Sequence, residues 1–409
     1  MRPQQETRHG GARSAGARAA LREATARLAA SADAIFVREP LVDPGCPDNS
    51  DVDLLAFGPV DDVLPERLFL RAGDAEVPVD VIWLPTTGLD DPVGFAGRGV
   101  LPHRLSSSRA VHDPTGVAQR QARLVQEQMF QPAVQGRRIA GLLDLGFLTV
   151  QEIGITWDFP ALALFWLHVA YAACLAVIAD ATRTLSPNVY SRPLDYTRSL
   201  EQLTGLSLTE PYVEMLRLGQ EPETLVPALR RLHASVSRFP EPAWPAGAKS
   251  STRYEYRYFG ARPELEWRIR AAAEMSRRGN PANGVFYLRL MAYALARIPG
   301  VHADSMRGET PAFLRPPRAI RAELEALCPE VVGDLGFILG GPEPPDVAQV
   351  KQALGALSAL RRQALAFVHS RGIVLPSLRD WVPFEAKAGA GDPDRRRFQP
   401  AEAGSFKEV

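Results

Sequence analysis

Three aspartates carry the chemistry open to this chain. Asp51 and Asp53 stand two apart in Ser50-Asp51-Val52-Asp53-Leu54. On a strand that spacing sends both carboxylates to one face and Val52 to the other. Carboxylates held side by side repel unless a cation lies between them, and an oxygen-only set suits Mg²⁺ bound together with substrate phosphates. Asp80 lies in Val79-Asp80-Val81-Ile82, an acid where a strand core would otherwise take a hydrophobe. If its strand neighbours the first, it completes a triad. The turn formers Pro40, Asp43, Pro44, Gly45, Pro47, Asp48 and Asn49 lead straight into the first strand, so taken alone Asp51 and Asp53 read equally well as turn chemistry. Asp80 is what favours the catalytic reading.

Ser50-Asp51-Val52-Asp53 followed by Val79-Asp80-Val81 resembles the DNA polymerase beta-like nucleotidyltransferases, the superfamily that includes aminoglycoside adenylyltransferases and minimal nucleotidyltransferases. The strand and turn at residues 109–116 resemble those that close the domain in that family. The resemblance covers residues 17–116. It implies two Mg²⁺ ions held by Asp51, Asp53 and Asp80, with Asp80 orienting or deprotonating an acceptor hydroxyl. The reaction it implies moves an NMP, AMP being the first choice, from an NTP to a small-molecule, protein or RNA acceptor, and releases pyrophosphate. Where the family has a Gly-Ser turn for the nucleotide phosphates, this chain has Val37-Arg38-Glu39-Pro40. Proline removes a backbone donor there, and Arg38 is the residue able to replace it, with Ser50 as a second nucleotide contact. That departure keeps a second reading open: a non-catalytic protein of the same fold that binds a nucleotide or a protein partner. The family resemblance also makes the start of a helix at Arg192-Pro193-Leu194-Asp195-Tyr196 an acceptor-site expectation through Arg192, Asp195 and Tyr196. A plain helix start, with proline in its first turn, is the alternative.

The elements that must position these acids fall into two regimes. Apolar and β-branched runs bounded by turn residues predict strands at 34–37, 51–57, 67–71, 77–84 and 109–112, behind a helix over 17–32. From residue 117 the pattern changes to helical periods, over about 116–130, 135–150, 160–184, 193–204, 221–237, 262–277, 284–298, 317–327 and 345–370. The expected fold is α+β: a small mixed-sheet domain over 17–116, then an all-helical domain over 117–385. The helical domain has a connector near 240–250 that could divide it into two sub-bundles. Residues 1–16 and 386–409 read as a disordered leader and tail.

The 409 residues are enough for two or three domains at about 150 residues each, and with 46% apolar and 23% charged residues the composition is that of a globular protein. Forty-seven basic residues balance 47 acidic ones, so steering of long nucleic acid by net charge is not expected. Three dispersed cysteines and no signal-peptide core in residues 1–22 favour the cytoplasm. Residues 161–179 are uncharged but alanine-rich and read as a buried core helix rather than a membrane span, with His168 a hydrogen-bonded core histidine.

Residues 253–270 interleave arginines with Tyr254, Tyr256, Tyr258, Phe259 and Trp267. Such a mix can stack RNA bases, but an amphipathic stretch with its aromatics toward the core is the favoured reading. RNA therefore stays a possible partner and not the expected one. Arg362 and His369 loosely resemble the Arg-x₄₋₆-His pair of HEPN ribonucleases; two unrelated surface residues explain them as well. There is no G-x-G-x-x-G, P-loop lysine, G-x-S-x-G or zinc-spaced His/Cys set.

Overall fold

The computed structural model describes residues 6–38, 52–60, 64–72, 75–154, 159–185, 194–311, 317–343 and 345–376. Five strands, β1 (Ala34–Arg38), β2 (Val52–Gly58), β3 (Leu64–Ala72), β4 (Ala75–Pro85) and β5 (Ser108–His112), form one sheet in the order β3-β4-β2-β1-β5. β2 and β4 run parallel, and the other neighbours are antiparallel. Helix α1 (Glu6–Leu28) precedes the sheet, and α2 (Pro92–Ala96) and α3 (Leu101–Ser106) lie between β4 and β5.

Among the described residues all later elements are helical. They are α4 (Val117–Gln128), α5 (Pro132–Gly154), α6 (Pro160–Ala181), α7 (Leu194–Thr204), α8 (Thr209–Met215), α9 (Val226–Val236), α10 (Ser250–Gly260), α11 (Arg262–Arg277), α12 (Pro281–Met306), α13 (Pro317–Leu327), α14 (Val332–Gly340) and α15 (Val347–Ser370). A mixed sheet followed by a mostly helical remainder is the α+β arrangement expected. Helix α1 begins at Glu6, inside the stretch read from composition as a leader. Alanine and arginine are strong helix formers, and their density outweighs the intervening glycines. The expected tail from residue 386 lies outside the described residues.

The sheet is buried on both faces because successive side chains alternate. Ile35, Val37, Leu54, Ala56, Val79 and Val81 pack under Ala20, Ala24 and Leu28 of α1. On the opposite face Phe36, Leu55, Phe57 and Leu84 meet Phe95, Leu105, Val125 and Met129 of the α2–α4 layer, with Phe36 and Phe57 edge to face at 5.7 Å. The cover over this second face stops short of one end of β2 and β4. That end carries the acids.

Helix α6 is the axis of the helical part. It is long and apolar enough to cross a membrane, yet 89% of its apolar window is buried within the protein, packed by α5, α14 and α15. His168 on α6 is stacked on Phe286 and hydrogen-bonded to the Tyr212 hydroxyl at 2.7 Å, so the core-histidine reading holds. Burial, aided by the Arg289 charge, pushes its imidazole well below the ordinary 6.5. A histidine whose folded pKa is depressed contributes stability that is complete above the unfolded value and lost as pH falls below it. Below about pH 6.5 the protein therefore loses stability through this residue as the pH falls. Urea denaturation at pH 7.5, 6 and 5 checks this: His168→Phe should show a constant offset, from the Tyr212 hydroxyl it strands, and a shallower pH slope than the wild type. Equal slopes would contradict it.

Candidate functional site

Register builds the site. Asp53 of β2 and Asp80 of β4 are direct partners in the parallel pairing, on backbones about 4.8 Å apart, and so share a face. In the antiparallel β3–β4 pair Asp80 faces Arg67. In the β1–β2 pair Val37 faces Leu54, which puts Arg38 beside Asp53. Four adjacent strands thus present Arg67, Asp80, Asp53 and Arg38 as a row across one face, basic at both ends and acidic in the middle.

The outer arginines hold the inner acids. Arg38 Nη1 donates to Asp53 Oδ2 at 3.2 Å, and both side chains keep some solvent exposure. Arg67 makes a two-point contact, Nε to Asp80 Oδ1 and Nη2 to Oδ2, the latter at 2.6 Å. The two clamps differ in setting: the Arg67 side chain is 2% exposed, against 11% for Arg38. Burial alone would lower the Arg67 pKa, but the Asp80 charge and hydrogen bonds outweigh it and the group is raised. It is a permanent cation.

The third contact of Arg67 comes from the helical part. Its Nη1 donates to Glu264 Oε2 at 2.6 Å, and the Glu264 side chain is fully buried. Glu264 lies in the first turn of α11, where a carboxylate complements the helix dipole, and it also accepts from Arg268 Nε at 2.5 Å. The Arg67 guanidinium stands 4.4 Å from the Trp267 ring centroid and 5.1 Å from that of Tyr258. Arg268 in turn reaches the Tyr258 hydroxyl at 3.1 Å and lies over Tyr287 at 4.6 Å. The arginine–aromatic stretch of residues 253–270 is therefore the seat for the edge strand β3. Tyr256 and Trp267 are buried, while Arg257 is exposed and paired with Glu241.

The sequence placed Asp53, Asp80 and Arg38, and the structure brings these three together. Ser50 and Asp51 lie outside the described residues, as does Arg192. Asp195 and Tyr196 fall in the first turn of α7, which packs on α6 and α8; the helices packed on β3 are α1 and α10. Arg362 and His369 are both exposed on α15. Sequence reasoning missed Arg67 as a site residue, and it missed Glu264. Alternation in β3 could have put Arg67 on the face opposite Glu66, but nothing local names its partner.

No family model matches this chain, and the search of curated proteins found no match to it. The site therefore rests on its own geometry. Among the described residues no three metal-ligating side chains cluster, and Asp53 and Asp80 are the paired carboxylates. A cavity of about 400 Å³ lined by Trp83, Glu66, Leu64 and Tyr254 is nearby, but Glu66 and Trp83 lie on the other face of the sheet from the acids. Trp83 closes over Gly58, where a Cβ would come within 3.1 Å of its ring and 2.9 Å of the Ser31 carbonyl oxygen; glycine is required there.

Proposed function

We propose that this protein is a nucleotidyltransferase that moves an NMP from an NTP to a hydroxyl acceptor. The observation that carries the reading is the register pairing of Asp53 with Asp80 on adjacent parallel strands, with Asp51 two residues before Asp53 in the sequence. Oxygen donors of this kind fit Mg²⁺, and Asp51, Asp53 and Asp80 would hold it. When bound, the metal neutralises phosphate charge and polarises the reacting phosphoryl group.

The chain's own residues do the rest. Asp80 is fixed on two sides by Arg67, so it is oriented to accept a hydrogen bond from the acceptor hydroxyl and align it. Attack of that oxygen on the α-phosphorus forms the new ester and breaks the bond to the bridging oxygen, releasing pyrophosphate. The hydroxyl proton passes to Asp80 or to solvent. Arg38, partly exposed and reaching Asp53 through Nη1, is suited to exchange that contact for a triphosphate oxygen. Its fork of donors would stand in for the backbone donor that Pro40 removes.

A second reading has its own supporting observation. Arg67 already contacts both oxygens of Asp80, and Arg38 reaches Asp53; the arginines supply the counter-charge that a metal would. A non-catalytic protein of the same fold, binding a nucleotide or a protein, would keep such clamps. Calorimetry separates the two readings. With each of the four NTPs and Mg²⁺, the wild type should bind at least one, and the Asp51→Asn, Asp53→Asn double variant should not. Binding that survives the double variant, or needs no Mg²⁺, would favour the second reading, and binding of no NTP would remove the nucleotide site altogether.

A further inference from the structure

The helical part reaches the acids through a chain of buried charges. Asp80 is gripped at two points by Arg67, Arg67 is gripped from behind by Glu264, and Glu264 is held by Arg268. The links are buried except at the Asp80 end, where 29% of the side chain remains exposed. Trp267 and Tyr258 lie against the Arg67 guanidinium, so the planar group is restrained by its ring neighbours as well as by its two carboxylates.

Edge strands are easily frayed and twisted, and β3 is an edge strand. An arginine on it would be a loose support for a reacting carboxylate. Anchoring that arginine to the first turn of α11 removes the looseness, because the helix is packed into the core through Leu265, Ala272 and Met275.

We propose that Glu264 and Arg67 are positioning residues: through Arg67, Glu264 of the helical part sets the orientation of the Asp80 carboxylate. The inference rests on the nucleotidyltransferase reading for the role of Asp80 and goes beyond it by making the helical part a determinant of the acid's geometry. The face that would receive the acceptor and the acid that would align it are then rigidly tied, so transfer depends on how β3 sits on α10 and α11. Supporting residues of this type typically carry 10- to 100-fold in function without touching substrate.

Two readouts test it. The first is urea denaturation of wild type, Asp80→Asn, Glu264→Gln and the double variant, which needs no activity. Each single variant neutralises one of the two carboxylates seen to hold Arg67 and the double neutralises both, so the double should lose more midpoint than the sum of the singles. Additive losses would overturn the relay. The second readout is transfer. Glu264→Gln keeps the size and one acceptor oxygen of glutamate; its kcat should fall about 10- to 100-fold with the KM for NTP unchanged. Arg67→Lys keeps the charge and loses the two-point grip, and its kcat should fall likewise. An unchanged kcat in both variants, or equal loss in kcat and NTP affinity, would overturn the positioning role. A wild type that shows no Mg²⁺–NTP signal in calorimetry is a distinct outcome: it removes the transferase reading, and the catalytic meaning of the relay with it, before any variant is compared.

Discussion

Asparagine at Asp80 should lower NMP transfer on the order of 10³-fold while leaving Mg²⁺–NTP binding in place, whereas asparagine at Asp53 should lose both. The size follows from removing one preorganised charge from a reacting centre, and the difference from position. Asp53 lies on the strand that would cradle the metal and phosphates; Asp80 stands one strand over, where the acceptor oxygen would be aligned. The loss should be chemical and not a failure to fold, because each arginine keeps a partner or a way to water. Arg67 still has Glu264 when Asp80 is neutral, and Arg38 is partly exposed when Asp53 is. A pyrophosphate-release assay read beside the thermal melting curve checks both points. Transfer at the wild-type rate by either variant would sink the assignment of the acids.

The largest effect on stability is expected away from the acids. Arg138 on α5 and Asp180 on α6 are both fully buried, joined by Nε to Oδ2 at 2.5 Å and Nη2 to Oδ1 at 2.8 Å. Arg138 Nη1 also donates to the Ala96 carbonyl at the end of α2 at 2.6 Å, and Gln135 donates to Asp180. The cluster ties the helical part to the layer that covers the sheet. Arg138→Leu leaves a buried carboxylate without its cation and should cost about 3–5 kcal/mol, read as a shift of the urea midpoint. Arg138→Leu with Asp180→Leu removes both charges and should recover a large part of that loss.

The pH dependence of that variant has a definite sign. In the wild type burial alone would raise the Asp180 pKa, but the hydrogen bonds and charge of Arg138, with His103 at 3.8 Å, outweigh it and hold the group below the ordinary carboxylate value. Its contribution is therefore complete above about pH 3.9 and lost only as pH falls through the folded value. Without Arg138, desolvation dominates and the folded pKa rises. The deficit relative to wild type should then be full at pH 7 and shrink as the pH approaches 4. A deficit that does not change with pH would show that Arg138 acts through its Ala96 contact alone.

How much of this was legible beforehand depends on the range of the interaction. The five strands were readable because alternation and β-branched runs are local properties, as in Val79-Asp80-Val81-Ile82. The long helices from residue 117 were readable because a 3.6-residue period repeats many times in each. Short helices carry too few repeats, and α2, α3, α8 and α14 were not predicted. Helix α10 was missed for another reason: Arg253-Tyr254-Glu255-Tyr256-Arg257-Tyr258 alternates with a period of two, as a strand does, and only its packing against β3 and α12 makes it a helix.

For the site, the chain's own order supplied the acids and the two-residue spacing of Asp51 and Asp53. It also supplied Arg38, next to the strand that pairs with theirs. Tertiary structure alone decided that Asp53 and Asp80 are register partners, that Arg67 on an edge strand grips Asp80, and that the cation is held from behind by a glutamate 197 positions later in the chain. Side-chain direction is set by the residue's own backbone and is written in the sequence. Strand order, register and the return of a distant helix are set by which apolar faces can be buried together, and that is a property of the whole chain.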